Sequence, residues 1–221
     1  SKAYSEPREA AIVGYFTQKR NSLPAHLETW PLDLHVSSAH WAPTALWHAV
    51  LTTLLAIDTA TDALSLAFGE AGQVRRLHRV MPRQHQQQLF ACLDELLESR
   101  TPAELGIDAV LYGRGPGSFT GLRIAASAAQ GLAYSLKVPV LGLSTLETQV
   151  RTLQRQQKLA EPGVFLSTID ARIGQIYAAF FAYDGETLAP MGEAIVSKPD
   201  ALTLPDELPS CPAPGLIVLG S

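Results

Sequence analysis

The sequence predicts an α/β protein built from two related halves, of which the second is incomplete. The pattern of apolar residues changes near residue 51. Before it, apolar residues do not recur for long with the period of a strand or a helix, and after it short apolar runs, glycine turns and amphipathic stretches alternate. An internal repeat is also visible, because residues 54–58 return 112 positions later as residues 166–170, both ending in Ile-Asp. A three-stranded pattern followed by alternating strands and helices completes the prediction.

Length and composition limit the class of protein. A chain of 221 residues, 47% hydrophobic and 17% charged with a net charge of −4, is long enough for a sizeable core and too apolar for disorder. Cys92 and Cys211 are too few for a disulfide-stapled secreted module, and the apolar run 45–57 is too short to span a membrane. We therefore expect a cytoplasmic protein without a broad basic face for nucleic acid.

Residues 1–51 differ in composition from the rest of the chain. They hold all three Trp and, with His35 and His40 among them, four of the six His, but only one of the 16 Gly. The spacing of these His, with no Cys nearby, does not fit a metal site. We expect a poorly structured N-terminal extension, in part non-native sequence. The alternative is a small appendage that binds a ligand.

Each half begins with a hairpin. In the first half, strand 54–58 ends in Asp58, residues 59–62 form a tight turn, and a second strand alternates at period two. In the second half, residues 171–174 form the turn. The alternation places two matched sets on one face of the second strands: Leu64, Leu66 and Phe68, and Ile176, Ala178 and Phe180. A third strand is expected at 73–80, after a glycine turn.

The first half then changes to alternating helices and strands. Helix one is expected over 84–99 and helix two over 120–136, with strands at 109–112 and 140–143. A capping box at 144–147 opens helix three. The apolar stripe of helix one comprises Leu89, Phe90, Leu93, Leu96 and Leu97.

Three antiparallel strands followed by β-α-β-α is the order of a ribonuclease-H-like unit, and two such units face to face form the architecture of actin, hexokinase and Hsp70. We therefore expect the extension 1–51, a first ribonuclease-H-like subdomain over 52–160 and a second over 161–221. The second is incomplete, since the sequence stops at 216–221 in a strand that runs into a glycine turn. A further capping box at 101–104 predicts a short helical turn after helix one.

The densest motif is the glycine-rich loop 113–121, which leads from a buried strand into helix two. Glycines allow close approach and a helix N-terminus presents free N–H groups, so this loop could hold an anion. It lacks the Lys of a Walker loop and the third glycine of a dinucleotide motif. The candidate residues for weak binding of ATP or ADP are Asp58, Thr59, Gly115, Gly117, Ser118 and Asp170. The alternative is a tight turn whose glycines serve packing.

Small residues recur every four positions along helix two. Gly121, Ala125, Ala129 and Ala133 form a ridge on which another helix can pack closely. The spacing alone leaves open whether that neighbour is helix one of this chain or a helix of a partner.

Basic residues are concentrated at 75–79, followed by Arg83 and His85. Such a run can contact a phosphate backbone, and it also suits a solvated edge strand, where it prevents pairing with another sheet. Neither a zinc motif nor a hydrolytic set of Ser, His and Asp is recognisable. The chain is therefore poorly equipped for catalysis alone. The other candidates are an actin-like ATPase or kinase acting alone, and a peptidase or chaperone-type protein.

Four ordered motifs together resemble one family. They are LLAIDTAT at 54–61, YGRGPGSFTGLR at 112–123, GLSTLE at 142–147 and IDARIGQIY at 169–177. From about Thr52 to Ser221 the chain is similar to the TsaB (YeaZ) family, whose members begin shortly before the first motif. The resemblance therefore implies that residues 1–51 have no counterpart and that Val50 or Leu51 is the translated form of an alternative start codon. The resemblance implies a subunit of the bacterial machinery that makes threonylcarbamoyladenosine beside the anticodon, in tRNAs that read codons beginning with A.

The resemblance further implies a non-catalytic role. The expected partner is the paralogue TsaD, which transfers the threonylcarbamoyl group from an adenylate made by TsaC, with TsaE as an ATPase partner. TsaD keeps two metal-binding His on the helix after strand five. Thr145 and Gln149 stand there in this chain, and neither suits a catalytic divalent metal. We therefore expect no metal and no resident cofactor, and only indirect contact with tRNA.

In this family helices one and two form the dimer face, with TsaD or with another copy of the same chain. The resemblance therefore assigns a partner interface to Leu89, Leu93, Gly121, Ala125, Ala129 and Ala133. On this interpretation, Ala125→Leu or Ala129→Leu weakens the heterodimer without unfolding the protein.

Overall fold

The computed structural model describes residues 53–70, 73–157, 161–205 and 216–220, and the extension expected at 1–51 lies outside them. The first of two sheets contains β1 (Thr53–Asp58), β2 (Ala63–Glu70), β3 (Gln73–Val80), β4 (Ala109–Gly115) and β5 (Val140–Ser144). The second contains β6 (Gly163–Arg172), β7 (Gln175–Tyr183), β8 (Leu188–Pro190), β9 (Ile195–Ser197) and β10 (Leu216–Gly220). The α-helices of the described part are α1 (His85–Leu96), α2 (Phe119–Leu136) and α3 (Thr145–Gln157).

The first sheet has the strand order β3-β2-β1-β4-β5. Strands β1, β2 and β3 are antiparallel neighbours, whereas β4 and β5 run parallel to β1. The predicted meander and the β-α-β-α order that follows it are confirmed, and β3 has the predicted bounds. Strand β4 is longer than predicted, because the glycine-rich residues after Tyr112 keep pairing with β5 through a bulge between Gly113 and Gly115.

Helices α1 and α2 cover one face of the first sheet. The predicted leucines are buried in the core there: Leu89, Leu93, Leu96 and Leu97. Phe90, predicted in the same stripe, is instead 60% exposed, because it lies about 100° around the helix from Leu89, at the side of the stripe. Helix α1 also ends before the predicted residue 99, and the chain turns there through Glu98 and Ser99, which both have positive φ.

Helix α2 is capped at both ends. The hydroxyl of Ser118, the N-cap, accepts a hydrogen bond from the Gly121 N–H at 3.3 Å. The C-cap, Lys137, adopts the left-handed conformation and its N–H bonds to carbonyls of the last turn. Among the described residues, no helix is both long and apolar enough to cross a membrane.

Helix α3 follows β5 directly and contacts both sheets. The Glu147 N–H donates to Ser144 Oγ at 3.4 Å, as the predicted capping box requires. The Glu147 carboxylate, which a complete box would direct back to Ser144, instead pairs with Arg151 at 2.7 Å. The apolar side of the helix packs into the core of the second sheet through Leu146, Val150 and Leu153.

The second sheet has the order β10-β6-β7-β8, with β9 also paired to β7. Strands β6 and β7 form the predicted hairpin, and the predicted C-terminal strand, β10, runs parallel to β6. In the first sheet, β4 likewise runs parallel to β1. The second sheet therefore repeats this arrangement, with β6, β7 and β10 in the places of β1, β2 and β4. The described residues thus form a duplicated ribonuclease-H-like fold, with fewer elements in the second half.

The repeat is offset by one residue in its second strand. Asp58 lies opposite Ser65, whereas Asp170 lies opposite Ile176, so the pairing matches β7 to β2 at 111 positions rather than 112. A one-residue slip exchanges the faces of a strand. The predicted set Ile176, Ala178 and Phe180 therefore shares a face, but that face packs with Val164 and Leu166. The α3 side of β7 is formed by Tyr177, Ala179 and Phe181.

The predicted capping box between α1 and β4 is complete. The Thr101 N–H donates to Glu104 Oε2 at 2.8 Å, and the Glu104 N–H donates to Thr101 Oγ1 at 3.3 Å. The bond from the Thr101 N–H lowers the pKa of the exposed Glu104 carboxyl, with smaller contributions from the Thr101 hydroxyl and from Arg100. The local sequence alone therefore fixes this turn.

Candidate functional site

A cleft of about 700 Å³ lies between the two sheets. The turn after β1, the adjoining side chains of β2 and β3 and the start of α2 form one wall, and the β6–β7 hairpin forms the other. The acidic and basic side chains that line it are Asp58, Asp62, His78, Asp170 and Arg172. The cleft is therefore mainly acidic, which disfavours an anionic ligand unless a cation accompanies it.

The two repeated aspartates, Asp58 at the end of β1 and Asp170 two residues before the end of β6, have the same local structure. Asp58 Oδ1 accepts the Ala60 N–H at 2.6 Å, and Asp170 Oδ1 accepts the Arg172 N–H at 2.8 Å. Both halves thus close their hairpins with an Asx turn. The environments differ, because Asp58 is only 5% exposed and its carboxylate fills the space in which a Cβ on Gly113 would stand, whereas Asp170 is exposed.

The glycine-rich loop packs on the turn between β1 and β2. The Ser118 N–H donates to the Ala60 carbonyl oxygen at 2.7 Å, and a Cβ on Gly117 would lie 2.5 Å from that same oxygen. A Cβ on Gly121 would overlap the Thr59 carbonyl oxygen. These glycines are therefore required for close packing within the chain. The structure agrees with the alternative interpretation of the loop, a tight turn whose glycines serve packing.

The structure brings together four of the six candidate nucleotide-binding residues. Asp58, Gly117, Ser118 and Asp170 line the cleft. Thr59 does not, because its side chain is fully buried and its hydroxyl donates to the Gly121 carbonyl oxygen at 2.6 Å. Gly115 is also turned away, and a Cβ there would meet Leu122 at 2.9 Å. Nucleotide binding by the remaining four residues stays a prediction.

A polar row that the motifs did not reveal crosses the floor of the cleft. Asp58 on β1 lies opposite Ser65 on β2, and Ser65 lies opposite His78 on β3. Ser65 Oγ and His78 Nδ1 share a hydrogen bond of 2.7 Å. The alternation of β2 could have revealed this row. Because Leu64 and Leu66 face the helices, Ser65 between them must face the cleft.

Thr145 and Gln149 are buried one turn apart on α3. Gln149 Oε1 accepts a hydrogen bond from Ser167 Oγ at 3.1 Å, which joins α3 to the second sheet. Thr145 Oγ1 is buried without a hydrogen-bond partner. Within the described ranges, no cluster of three or more His, Cys, Asp or Glu side chains could hold a metal ion. The polar groups on this side of α3 are therefore neutral amides and hydroxyls.

The small-residue ridge of α2 packs inside the chain. Ala125 and Ala129 are fully buried, and Ala133 is 5% exposed, all in the core between α2 and the first sheet. Leu89 and Leu93 of α1 belong to the same core. The spacing thus identified a close-packed ridge, and its neighbour within the described residues is this chain's own core. A partner interface at these side chains and Gly121 stays a prediction.

The outer sides of α1 and α2 carry different residues. Phe119 and Tyr134 on α2 are 69% and 76% exposed, and Phe90 on α1 is also largely exposed. The Arg123 guanidinium stacks on Phe119, 3.5 Å from the ring centroid. A Cβ on Gly131 would meet nothing within 4 Å. These residues can meet another molecule without any change in the core.

The basic residues of β3 are largely paired. Arg75 forms an ion pair with Glu98 at 2.7 Å, and Arg79 forms one with Glu95 at 2.6 Å. His85 is buried at the start of α1, where its Nε2 donates to the Asp62 carbonyl oxygen at 3.2 Å. The run lies on the edge strand of the first sheet, as the edge-strand alternative predicted. Its ion pairs, which that alternative did not predict, tie this strand to α1 and to the turn after it.

Comparison with known proteins agrees with this fold. Residues 78–212 match the family model described as "TsaD: tRNA N6-adenosine threonylcarbamoyltransferase". The chain is 40% identical over 131 residues to the tRNA threonylcarbamoyladenosine biosynthesis protein TsaB of Escherichia coli, covering 59% of this chain and 55% of that one. It is 36% identical to the TsaB of Haemophilus influenzae, covering 57% and 52%. The chain thus spans about half the length of the curated relatives it matches.

The solved structures give the same result. YeaZ from Pseudomonas aeruginosa superposes with a TM-score of 0.63 at 35% identity, covering 71% of this chain and 72% of that one. Another structure, described as an uncharacterized protein with similarity to peptidase YeaZ from the same organism, superposes with a TM-score of 0.65 at 31% identity. The family model covers more than half of the chain, and the relatives share its sequence and its fold. The chain therefore belongs to the TsaB/YeaZ family.

Proposed function

We propose that this chain is a non-catalytic subunit of the machinery that makes threonylcarbamoyladenosine in tRNA, and that it acts by holding the catalytic paralogue TsaD. Its curated relatives are named for the biosynthesis of that nucleoside, and its sequence matches the model of the transferase family. The proposed mechanism is scaffolding in the cytoplasm. TsaE and TsaC are further partners of the proposed complex.

The observation that carries the proposal is the outer side of α2. Gly131 lies within the helix, where a glycine costs about 1 kcal/mol relative to alanine, and its outward side is open. No close approach within the described chain requires that glycine. A helix of a partner would use the missing side chain to come close. Phe119 and Tyr134 flank it with exposed aromatic area of the kind that protein interfaces bury.

Helix α1 supplies the second part of the proposed interface. Phe90 is exposed beside the stripe of core leucines on α1, about 100° around the helix from Leu89. Two amphipathic helices whose inner sides cover the sheet and whose outer sides carry aromatic residues suit half of a helix bundle. The same surface can pair with TsaD or with a second copy of the chain, so the two assemblies compete.

Helix α3 supports the non-catalytic part of the proposal. The side chains at the positions of the paralogue's metal ligands are a hydroxyl and an amide, which bind catalytic divalent metals poorly. Gln149 is in addition engaged by Ser167. The metal chemistry of the transfer would therefore reside in TsaD. The paired arginines of β3 favour indirect contact with tRNA for the same complex.

Nucleoside mass spectrometry of bulk tRNA tests the function directly. Cells depleted of this protein are expected to lose threonylcarbamoyladenosine, and a rescue gene that starts at Thr52 is expected to restore it. A second gene carrying Ala125→Leu, which overpacks the core, should rescue only in proportion to the protein that stays folded. An unchanged level of the nucleoside under verified depletion would overturn the proposed function.

A further inference from the structure

The Ser65 hydroxyl and the His78 imidazole face each other across two neighbouring strands. The two residues are direct partners in the register of β2 and β3, and Ser65 Oγ lies 2.7 Å from His78 Nδ1. That distance is within the range of a good hydrogen bond. A hydroxyl held on an imidazole nitrogen is the first requirement of an activated nucleophile, because the ring can take the proton as the oxygen attacks.

Both side chains line the cleft between the two sheets. Ser65 is only 4% exposed, so its hydroxyl is reached from the cleft and not from the outer surface. His78 lies on the edge strand and is exposed, so its ring can exchange protons with water. A nucleophile in this position can attack a small acyl group that enters the cleft, and a bulky acyl group is kept away from it.

The pair is specific to the first half of the duplicated fold. In the first half, Asp58 lies opposite Ser65, which in turn lies opposite His78. In the second half, Asp170 lies opposite Ile176, whose apolar side chain packs on the core of that sheet. The duplication therefore repeats the aspartate and does not repeat the hydroxyl and the imidazole.

The start of α2 supplies hydrogen-bond donors to the same cleft. Phe119 and Thr120 line the cleft and are the first two residues of the helix, where N–H groups have no acceptor within the helix. The next N–H, that of Gly121, already donates to the Ser118 hydroxyl. The N–H groups of Phe119 and Thr120 are therefore the donors available to an oxyanion that forms in the cleft.

The charges of the cleft restrict the substrate. The carboxylates of Asp58, Asp62 and Asp170 outnumber the basic groups of Arg172 and His78. An excess of carboxylates repels an anionic substrate and tolerates a neutral or a cationic one. The same carboxylates favour the positive charge that the imidazole gains when it takes a proton.

We propose that Ser65 is a nucleophile with His78 as its general base, and that the cleft hydrolyses small carboxylic esters that are neutral or cationic. The Ser65 hydroxyl proton passes to His78 Nδ1 while Oγ bonds to the carbonyl carbon of the ester. The bond from that carbon to the alcohol oxygen then breaks, and the alcohol leaves with the proton from His78. Water attacks the acyl-serine in the same way, which releases the carboxylic acid and restores Ser65.

This activity goes beyond the proposed function and needs no partner. The transfer to tRNA still belongs to TsaD. The assays below contain the full chain alone, so their failure would leave the proposed function unaffected.

A fluorophosphonate probe tests the nucleophile, because the attacking oxygen displaces fluoride and keeps the phosphonyl group. Peptide mass spectrometry is expected to find the adduct on Ser65. Ser65→Ala is expected to lose it, and His78→Gln to be labelled about tenfold more slowly or less, since an amide does not take the proton. Ser127→Ala, at an exposed serine of α2 outside the cleft lining, is the matched control and should be labelled as the unaltered chain is.

Release of p-nitrophenol from p-nitrophenyl acetate measures the ester hydrolysis. The value of kcat/KM is expected to fall about tenfold or more in Ser65→Ala and in His78→Gln. For the unaltered chain it is expected to be about tenfold higher with this neutral ester than with the anionic p-nitrophenyl hemisuccinate, because the carboxylates of the cleft repel the latter.

Melting temperatures separate chemistry from stability. Loss of labelling and of hydrolysis at an unchanged melting temperature supports the proposal, and His78→Gln decides alone if Ser65→Ala does not fold. An adduct on another residue would overturn the proposal, and so would hydrolysis by the unaltered chain no faster than in buffer. A lower melting temperature in His78→Gln with unchanged labelling would also overturn it, because the pair would then serve only to hold β2 and β3 together.

Discussion

The hydroxyl of Thr59 donates a hydrogen bond of 2.6 Å to the carbonyl oxygen of Gly121, 62 residues further along the chain. This bond is buried and joins the turn after β1 to the first turn of α2. The Thr59 carbonyl oxygen occupies the space that a Cβ on residue 121 would need. The start of α2 is therefore locked to the first hairpin, and the wall of the cleft is rigid at this point.

We expect Gly121→Ala to destabilise the protein by about 3 kcal/mol or more, because the added methyl group meets backbone rather than a movable side chain. Gly131→Ala is the matched control in the same helix. It meets open space and should raise the free energy of unfolding by up to about 1 kcal/mol. Urea denaturation of both variants measures the difference, and equal stabilities would contradict the packing described here.

A bulky side chain on the outer side of α2 should separate binding from folding. Gly131→Trp is expected to leave the melting temperature within a few degrees of the original value, because the site is open. It should weaken association with TsaD at least tenfold by holding the partner helix away. Analytical ultracentrifugation of the mixture reports the change. Unaltered association would place the partner on another surface.

Overpacking the ridge should have the opposite effect. Ala125→Leu inserts three heavy atoms into a fully buried position and is expected to cost about 1–3 kcal/mol of stability. Any loss of partner binding should then follow the loss of folded protein, which circular dichroism measured on the same samples would show. A variant that remains as stable as the original chain but loses binding would support the ridge as an interface.

The capping box at Thr101 predicts a pH dependence. The Glu104 pKa is lowered in the folded state by hydrogen bonds from Thr101, so the folded protein favours the charged carboxylate. The resulting stabilisation is fully present above the unfolded pKa and is lost as the pH falls through the lowered folded value. Glu104→Gln should therefore reduce stability at neutral pH and have little effect in acid. Thermal melts at neutral and acidic pH check this, and an equal loss at both would show that charge is not involved.

Local patterns were enough for most elements of the first half. The apolar alternation of β2, the leucines of α1 and the Thr101 box each depend on neighbours in the sequence, and the structure has all three. Which side of β7 faces α3 was not predictable. The turn before β7 is one residue shorter than the turn before β2, and the alternation of apolar residues along β7 is compatible with either turn length. The sequence also did not determine what packs on the α2 ridge, because small residues indicate that a neighbour is close and not which element it is.

The candidate site was predictable only in part. Asp58 and Asp170 stand at the same place in a repeated motif, and their positions at the cleft follow from the hairpins. The hydrogen bond between Ser65 and His78 depends on the register of two strands, which the residue types do not specify. Similarly, the glycines of residues 113–121 suggested anion binding, and only the position of the β1–β2 turn shows that their space is already filled.

Helix α3 is shared between the two units of the duplicated fold. It belongs by sequence to the first unit, yet Leu146, Val150 and Leu153 complete the core of the second. If the two units were separated between α3 and β6, the second sheet would lose its cover and expose an apolar face. The second unit as described therefore depends for its core on a helix that the first unit supplies.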